Sequence, residues 1–262
     1  MKKFMLLLLF VAVFLLPSSK KVYADDLSSV MDQYALTGKE LDEFEKNERN
    51  VSRSSRSSVP QKTETELKEQ YASLLESGYL GSDVTFEMYR ELATATPPID
   101  PVVSNARSVA GNPQPGDIMI TNGTSFGGLT GHAGIFLNNG TILSIQGGGY
   151  TPAAMSIIDW AKKYMSKKGQ WTKIYRPAAK YKPNAAYQWA INNYRGKNYS
   201  YGINTNIWSK NPTYCSKIVW QAYWYSSAAA QVGGMKQPLI VSPYDLPAYF
   251  NSRPAHVGTW SA

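Results

Sequence analysis

Apolar and polar positions fall into three textures along the 262 residues. An unbroken apolar run, Phe4 to Leu16, opens the chain behind Lys2 and Lys3. Between residues 25 and about 105, apolar residues recur at helical spacing. Leu67, Tyr71, Leu74 and Leu75 share one face, and Phe86, Tyr89 and Leu92 share another, which Ser82-Asp83 would cap and Pro97-Pro98 stops. From Gly111 onward, short alternating runs and tight turns take over. Pro115-Gly-Asp-Ile-Met-Ile-Thr121 reads as a turn feeding a strand, and His132–Leu137 and Thr141–Gln146 as a hairpin around Asn138-Asn-Gly140. A three-residue loop ending on a left-handed Gly140 pairs Leu137 with Thr141, Phe136 with Ile142 and His132 with Gln146. That register gathers Ala133, Ile135, Leu137, Leu143 and Ile145 on one apolar face, whereas a two-residue loop would put Ser144 and Gln146 among them. Helices are predicted at Ile157–Tyr164, at Asn184–Tyr194 and from Ser242, and a strand at Trp171–Arg176.

One further stretch carries candidate chemistry. In Thr213–Tyr223, residues Cys215, Ile218, Val219, Ala222 and Tyr223 form the stripe of an amphipathic helix, with Thr213 as a candidate N-cap. Cys215 then sits in the first turn, where unpaired N–H groups and the helix dipole favour a thiolate. The competing reading is a small, inert core residue.

Composition narrows the choices. The opening run is too short for a comfortable membrane span and reads as a signal peptide over residues 1–24, with cleavage after Val22-Tyr23-Ala24. The mature chain is therefore expected to be exported, soluble and free of a transmembrane segment. One cysteine excludes an internal disulfide and a cysteine metal cluster, and His132 and His256 are the only histidines. Neither metal nor cofactor is expected. Charge is uneven: past Gly111 the acidic residues are only Asp117, Asp159 and Asp245, while residues 25–105 are acidic. A basic domain suits anionic wall polymers or membrane surfaces, and no nucleic-acid-binding motif accompanies the charge. The expected organisation is a helical accessory region or removable pro-segment over 25–105, a Ser/Arg linker near 50–62, and a catalytic domain over 106–262. The domain reads as α+β, ample in length for one core.

Four short segments resemble the NlpC-type papain-like cysteine peptidases. They are Tyr199-Ser-Tyr-Gly202, Tyr214-Cys-Ser-Lys-Ile-Val-Trp-Gln-Ala-Tyr223, Pro115-Gly-Asp-Ile-Met-Ile, and the stretch from Gly131-His to Gln146. The cysteine segment follows the histidine segment here, which resembles the circularly permuted branch that includes lecithin–retinol acyltransferase relatives. The resemblance spans about residues 111–250. It implies a permuted papain-like fold with an antiparallel sheet packed against the nucleophile helix. It also implies Cys215 as nucleophile, His132 as general base and acid, and Gln146 as the residue orienting the imidazole. Tyr199 matches a tyrosine near the nucleophile, a substrate-binding or oxyanion candidate, and Asp117 a structural turn residue. The activity expected is a secreted, possibly wall-associated cysteine hydrolase cleaving amide bonds in cell-wall peptides through an acyl-enzyme. The alternatives are a lipid acyl hydrolase or acyltransferase, with Trp208, Trp220 and Trp224 as candidate pocket aromatics, and an inactive wall-binding module.

Overall fold

The computed structural model describes residues 19–54, 62–100, 112–123, 129–226 and 234–262. Six strands, β1 (Ile118–Thr121), β2 (His132–Phe136), β3 (Thr141–Ser144), β4 (Ala153–Ser156), β5 (Trp171–Arg176) and β6 (Ala255–Ser261), form one antiparallel sheet. Its order is β4-β3-β2-β1-β5-β6. Seven α-helices accompany it among the described residues: α1 (Ser19–Tyr34), α2 (Gly38–Ser54), α3 (Glu64–Glu76), α4 (Phe86–Ala93), α5 (Ile157–Tyr164), α6 (Pro183–Tyr194) and α7 (Cys215–Tyr225). The α+β class read from the sequence is the class observed.

The hairpin register is also as read. Ile135 pairs with Leu143 and Phe136 with Ile142, while the Leu137 N–H donates to the Thr141 carbonyl at 2.8 Å. Gly140 holds φ at 74°, a conformation that disfavours any side chain. Burial of the sheet goes further than one-sided alternation suggests. The face with Ala133, Ile135, Leu137, Leu143 and Ile145 packs against α3, α4, α6 and α7. The opposite face, with Met119, Phe136, Ile142 and Ile174, is covered by α1 and α5. Gly134 lies on that second face, where a Cβ would meet Ile142 Cγ2 at 2.4 Å and Trp160 at 3.2 Å, so glycine lets α5 close on the sheet.

Several boundaries differ from the sequence expectations, each for a local reason. Thr85, rather than Ser82-Asp83, caps α4, because the Asp83 carboxylate is engaged by the Thr205 N–H at 2.8 Å. Helix α7 starts at Cys215 with Tyr214 as N-cap and no side-chain capping bond. The helix expected from Ser242 is a turn followed by a short 3-10 helix over Leu246–Tyr249. Strands β4 and β6 carry too little alternation to be read as strands. Residues 51–54 of the expected linker belong to α2, and 55–61 lie outside the described residues, as does the run Phe4–Leu16. The expected processing point before Asp25 falls within α1, whose Leu27 and Val30 are buried against the second face.

The described residues of α2, α3 and α4 are bound closely to the sheet. Leu67 and Leu74 of α3, with Tyr89 and Ala93 of α4, share one core with β2 and α7. A buried ionic cluster joins α2 to β5. Lys173 Nζ lies 2.6 Å from Glu48 and 3.3 Å from Asp100, and Tyr175 OH donates to Asp100 at 2.9 Å. Residues 62–100 thus pack into the same core as the sheet. Among the described residues, no helix is long and apolar enough to cross a membrane.

Candidate active site

Helix α7 packs on β2, and their facing ends enclose a cavity. Cys215, the first residue of α7, lines it together with His132, the first residue of β2. Tyr201 and Tyr214 flank the thiol, and Leu92, Leu129, Ile203, Ile240 and Val241 supply a mainly apolar wall. No group of histidine, cysteine or carboxylate residues that could hold a metal occurs among the described residues.

The imidazole is held from the α5 side of the sheet. It stacks on Tyr164 with ring centroids 4.8 Å apart and lies 5.6 Å from Trp160. Its Nε2 is 2.9 Å from Ser144 Oγ and 3.1 Å from Tyr164 OH. Ser144 donates its only hydroxyl proton to the Ala133 carbonyl at 2.6 Å, so its contact with His132 is satisfied by Nε2–H donating to Oγ. That tautomer leaves Nδ1 with a free lone pair.

Both candidate reacting groups are neutral at rest. Burial, reinforced by the Lys163 charge, pushes the His132 imidazole down to about 3. Burial also pushes the Cys215 thiol above its ordinary value, although the N–H groups of Ala133, Ser216 and Cys215 itself act the other way. Tyr214 leaves the first turn of α7 uncapped by any side chain, so the Ser216 N–H is free to face the sulfur. The N–H groups at the helix start thus favour the thiolate, and desolvation outweighs them.

Of the residues expected in the site, the structure brings Cys215, His132 and Gln146 to one cavity, and places Tyr199 outside it. Gln146 lines the cavity, but its side-chain oxygen accepts from Lys163 Nζ, and the positions at His132 Nε2 are taken by Ser144 and Tyr164. The strand β3 ends at Ser144, so the register that set Gln146 opposite His132 is not continued by pairing. Tyr199 packs edge-to-face on Tyr194 at 5.8 Å, and it is Tyr201 that reaches the cavity. Trp208, Trp220 and Trp224 pack on one another away from the cavity wall. Asp117 is a turn residue, as expected, with Arg176 donating to both its oxygens at 3.0 and 2.6 Å.

Ser144 was available to sequence reasoning. It has the same parity as His132 in the inferred register and sits on the diagonal across the hairpin, close enough for side chains to meet. Tyr164 had only a helical signal, its i,i+4 relation to Trp160, with nothing to tie α5 to His132.

Comparison with known proteins gives this geometry a family. Residues 84–253 match the family described as lipoprotein N-acylation protein LnsA-like. An uncharacterized 30.3 kDa protein of Bacillus thuringiensis is 34% identical over 129 residues, which are 45% of this chain and 47% of the relative. The chain thus spans about half the length of that curated relative. No solved structure matches significantly. The family is described by acyl transfer, and peptide amide cleavage is no part of that description. The chain belongs to the LnsA-like lipoprotein N-acylation family, a papain-like group of cysteine-based acyl-transfer or hydrolase enzymes.

Proposed function

We propose that the protein is a cysteine acyltransferase that accepts a fatty acyl group from a lipid ester onto Cys215 and passes it to an amine. The observation that carries this reading is the mainly apolar wall, Leu92, Leu129, Ile203, Ile240 and Val241, beside the thiol. A hydrocarbon chain gains from leaving water there, about 0.8 kcal/mol per buried methylene, whereas a charged wall peptide would not. The family description, which names N-acylation of lipoproteins, supports the same chemistry.

With thiol and imidazole both neutral, proton transfer accompanies bond formation. His132 Nδ1 takes the thiol proton as sulfur attacks the ester carbonyl. The C–O bond then breaks, and the imidazolium returns the proton to the departing alkoxide, leaving a thioester. In the second half an amine attacks the thioester carbon, the C–S bond breaks, and the amine's proton passes through Nδ1 back to the sulfur. Ser144 and Tyr164 position the ring through Nε2. They offer hydroxyl oxygens rather than a carboxylate, so the imidazolium is short-lived by construction.

The test is intact-protein mass spectrometry of the chain incubated with diacyl phospholipid, then with an amine-bearing lipopeptide. A mass gain of one acyl group on Cys215, transferred to the lipopeptide and absent from Cys215→Ala, is the expected result. Peptide fragments released from wall material by the wild type, without any acyl adduct from lipid, would instead support the amide-hydrolase reading.

A further inference from the structure

Seven residues before the nucleophile the chain exposes a tryptophan. Trp208 is 45% exposed, yet its loop is fixed from below by the nucleophile helix. Lys217, fully buried, donates to the carbonyls of Asn206 at 2.7 Å and Pro212 at 3.0 Å. Gln221, also buried, donates to Ser209 at 3.0 Å and to Ile207, and itself accepts from Tyr194 OH at 2.5 Å. Asn206 closes the loop by accepting from the N–H groups of Trp208 and Ser209. These hydrogen bonds satisfy the buried ammonium and amide, and in doing so they tie the loop's backbone to the nucleophile helix.

The ring of Trp208 lies against Trp220 and Trp224, each with centroids 5.4 Å away. Trp220 Nε1 in turn donates to the Lys236 carbonyl at 3.0 Å. From there the chain passes through Leu239, 65% exposed, to Ile240 and Val241 on the cavity wall. The other end of the Trp208 loop likewise starts from a wall residue, Ile203. Exposed apolar side chains and the cavity are therefore joined by two short stretches of backbone. The two stretches themselves carry only basic side chains, and Asp83, the carboxylate that reaches the loop, is engaged by the Thr205 N–H at 2.8 Å. Lys210 and Lys236 are exposed, and no acidic residue occurs anywhere between Asp159 and Asp245.

We infer that this surface, led by Trp208 and Leu239 with Lys210 and Lys236 beside them, seats the enzyme on the interface of an anionic lipid bilayer. Indole rings favour the boundary between headgroups and acyl chains, where an apolar body and a polar edge are both satisfied. Lysine stems lie along apolar surface while their ammonium groups reach anionic headgroups. Seating there places the mouth of the Cys215 cavity beside the acyl chains it is to receive, a role that rests on the acyl-transfer reading above.

The experiment is co-sedimentation of the full chain with vesicles of phosphatidylcholine, with and without phosphatidylglycerol. It is run on Cys215→Ala, so that turnover plays no part, and repeated in the added presence of soluble teichoic acid. Strong binding only to the phosphatidylglycerol vesicles is expected, with about tenfold weaker binding after W208A/L239A and a similar loss after K210Q/K236Q. With Cys215 retained, the W208A/L239A chain should still become acylated there by a soluble short-chain thioester. Vesicle binding unchanged by W208A/L239A, or binding to the wall polymer with none to vesicles, would overturn the inference. No acylation of the wild-type chain by the short-chain thioester would instead count against the catalytic reading.

Discussion

His132 Nε2 donates to Ser144 Oγ at 2.9 Å, and Ser144 can only accept because its own proton is committed to the Ala133 carbonyl. One strand-to-strand diagonal thus selects the imidazole tautomer, and Tyr164 OH, 3.1 Å from the same nitrogen, holds the ring from the helix side. Substitution should rank these residues by contact. Tyr164→Phe keeps the stacking and removes one hydroxyl, and is expected to lower kcat by about tenfold with KM little changed, consistent with loss of about 1.4 kcal/mol. Ser144→Ala should cost as much or more, and Ser144→Thr should restore part of it. Gln146→Ala should leave kcat within about twofold. A large loss in Gln146→Ala with none in Ser144→Ala would return the orienting role to Gln146.

The neutral state of the pair has a pH signature. Burial raises the thiol and lowers the imidazole to about 3, so no thiolate–imidazolium pair is stored in the resting enzyme. The thiolate fraction then grows about tenfold per pH unit as pH rises toward the elevated thiol value. Alkylation of Cys215 by iodoacetamide in the folded protein should be slow at pH 6 and climb steadily to pH 9 and beyond. A rate already at its plateau below pH 7 would show that the ion pair exists.

What the sequence discloses here is governed by the range of each signal. The hairpin register follows from Gly140 and the alternation around it, because turn geometry and face burial are local. Cys215 and His132 are legible because helix start and strand start are local too, and four motifs line up with them. Gln146 illustrates the limit: the register is as read through Leu143, where the pairing of β3 with β2 ends, and the Gln146 side chain turns to Lys163. Tyr164 and Leu92 reach the site only through tertiary packing of α5 and α4. Residues 62–100 read as an accessory region because amphipathic helices with a narrow apolar face look alike whether they cover a core or a neighbour.

Truncation should therefore be graded rather than neutral. A chain beginning at Lys62 loses Glu48 from Lys173 but retains Asp100 as its partner. A chain beginning at Pro113 also loses Asp100, leaving a buried ammonium without a carboxylate, and uncovers the core that Leu67, Leu74 and Tyr89 complete. Unpairing such a charge alone costs about 3–5 kcal/mol. Denaturant midpoints should fall modestly for the first and drastically for the second, with acyl-enzyme formation lost in the second because Leu92 leaves the cavity wall. Full activity in the Pro113 chain would make residues 25–112 a dispensable segment.

Leu92 also offers a way to measure what the cavity holds. It comes from α4, opposite the nucleophile helix, and shares the wall with Ile203 and Ile240. A larger ring there shortens the space available to a hydrocarbon chain while leaving Cys215, His132, Ser144 and Tyr164 untouched. In Leu92→Trp, acylation of Cys215 by a two-carbon thioester should proceed within about threefold of wild type. Acylation by a sixteen-carbon donor should fall by about a hundredfold, the loss of several buried methylenes. Leu92→Ala should move the preference toward longer chains. Equal losses for short and long donors in Leu92→Trp would mean that the acyl chain lies elsewhere, and that this wall serves only to shield the thioester from water.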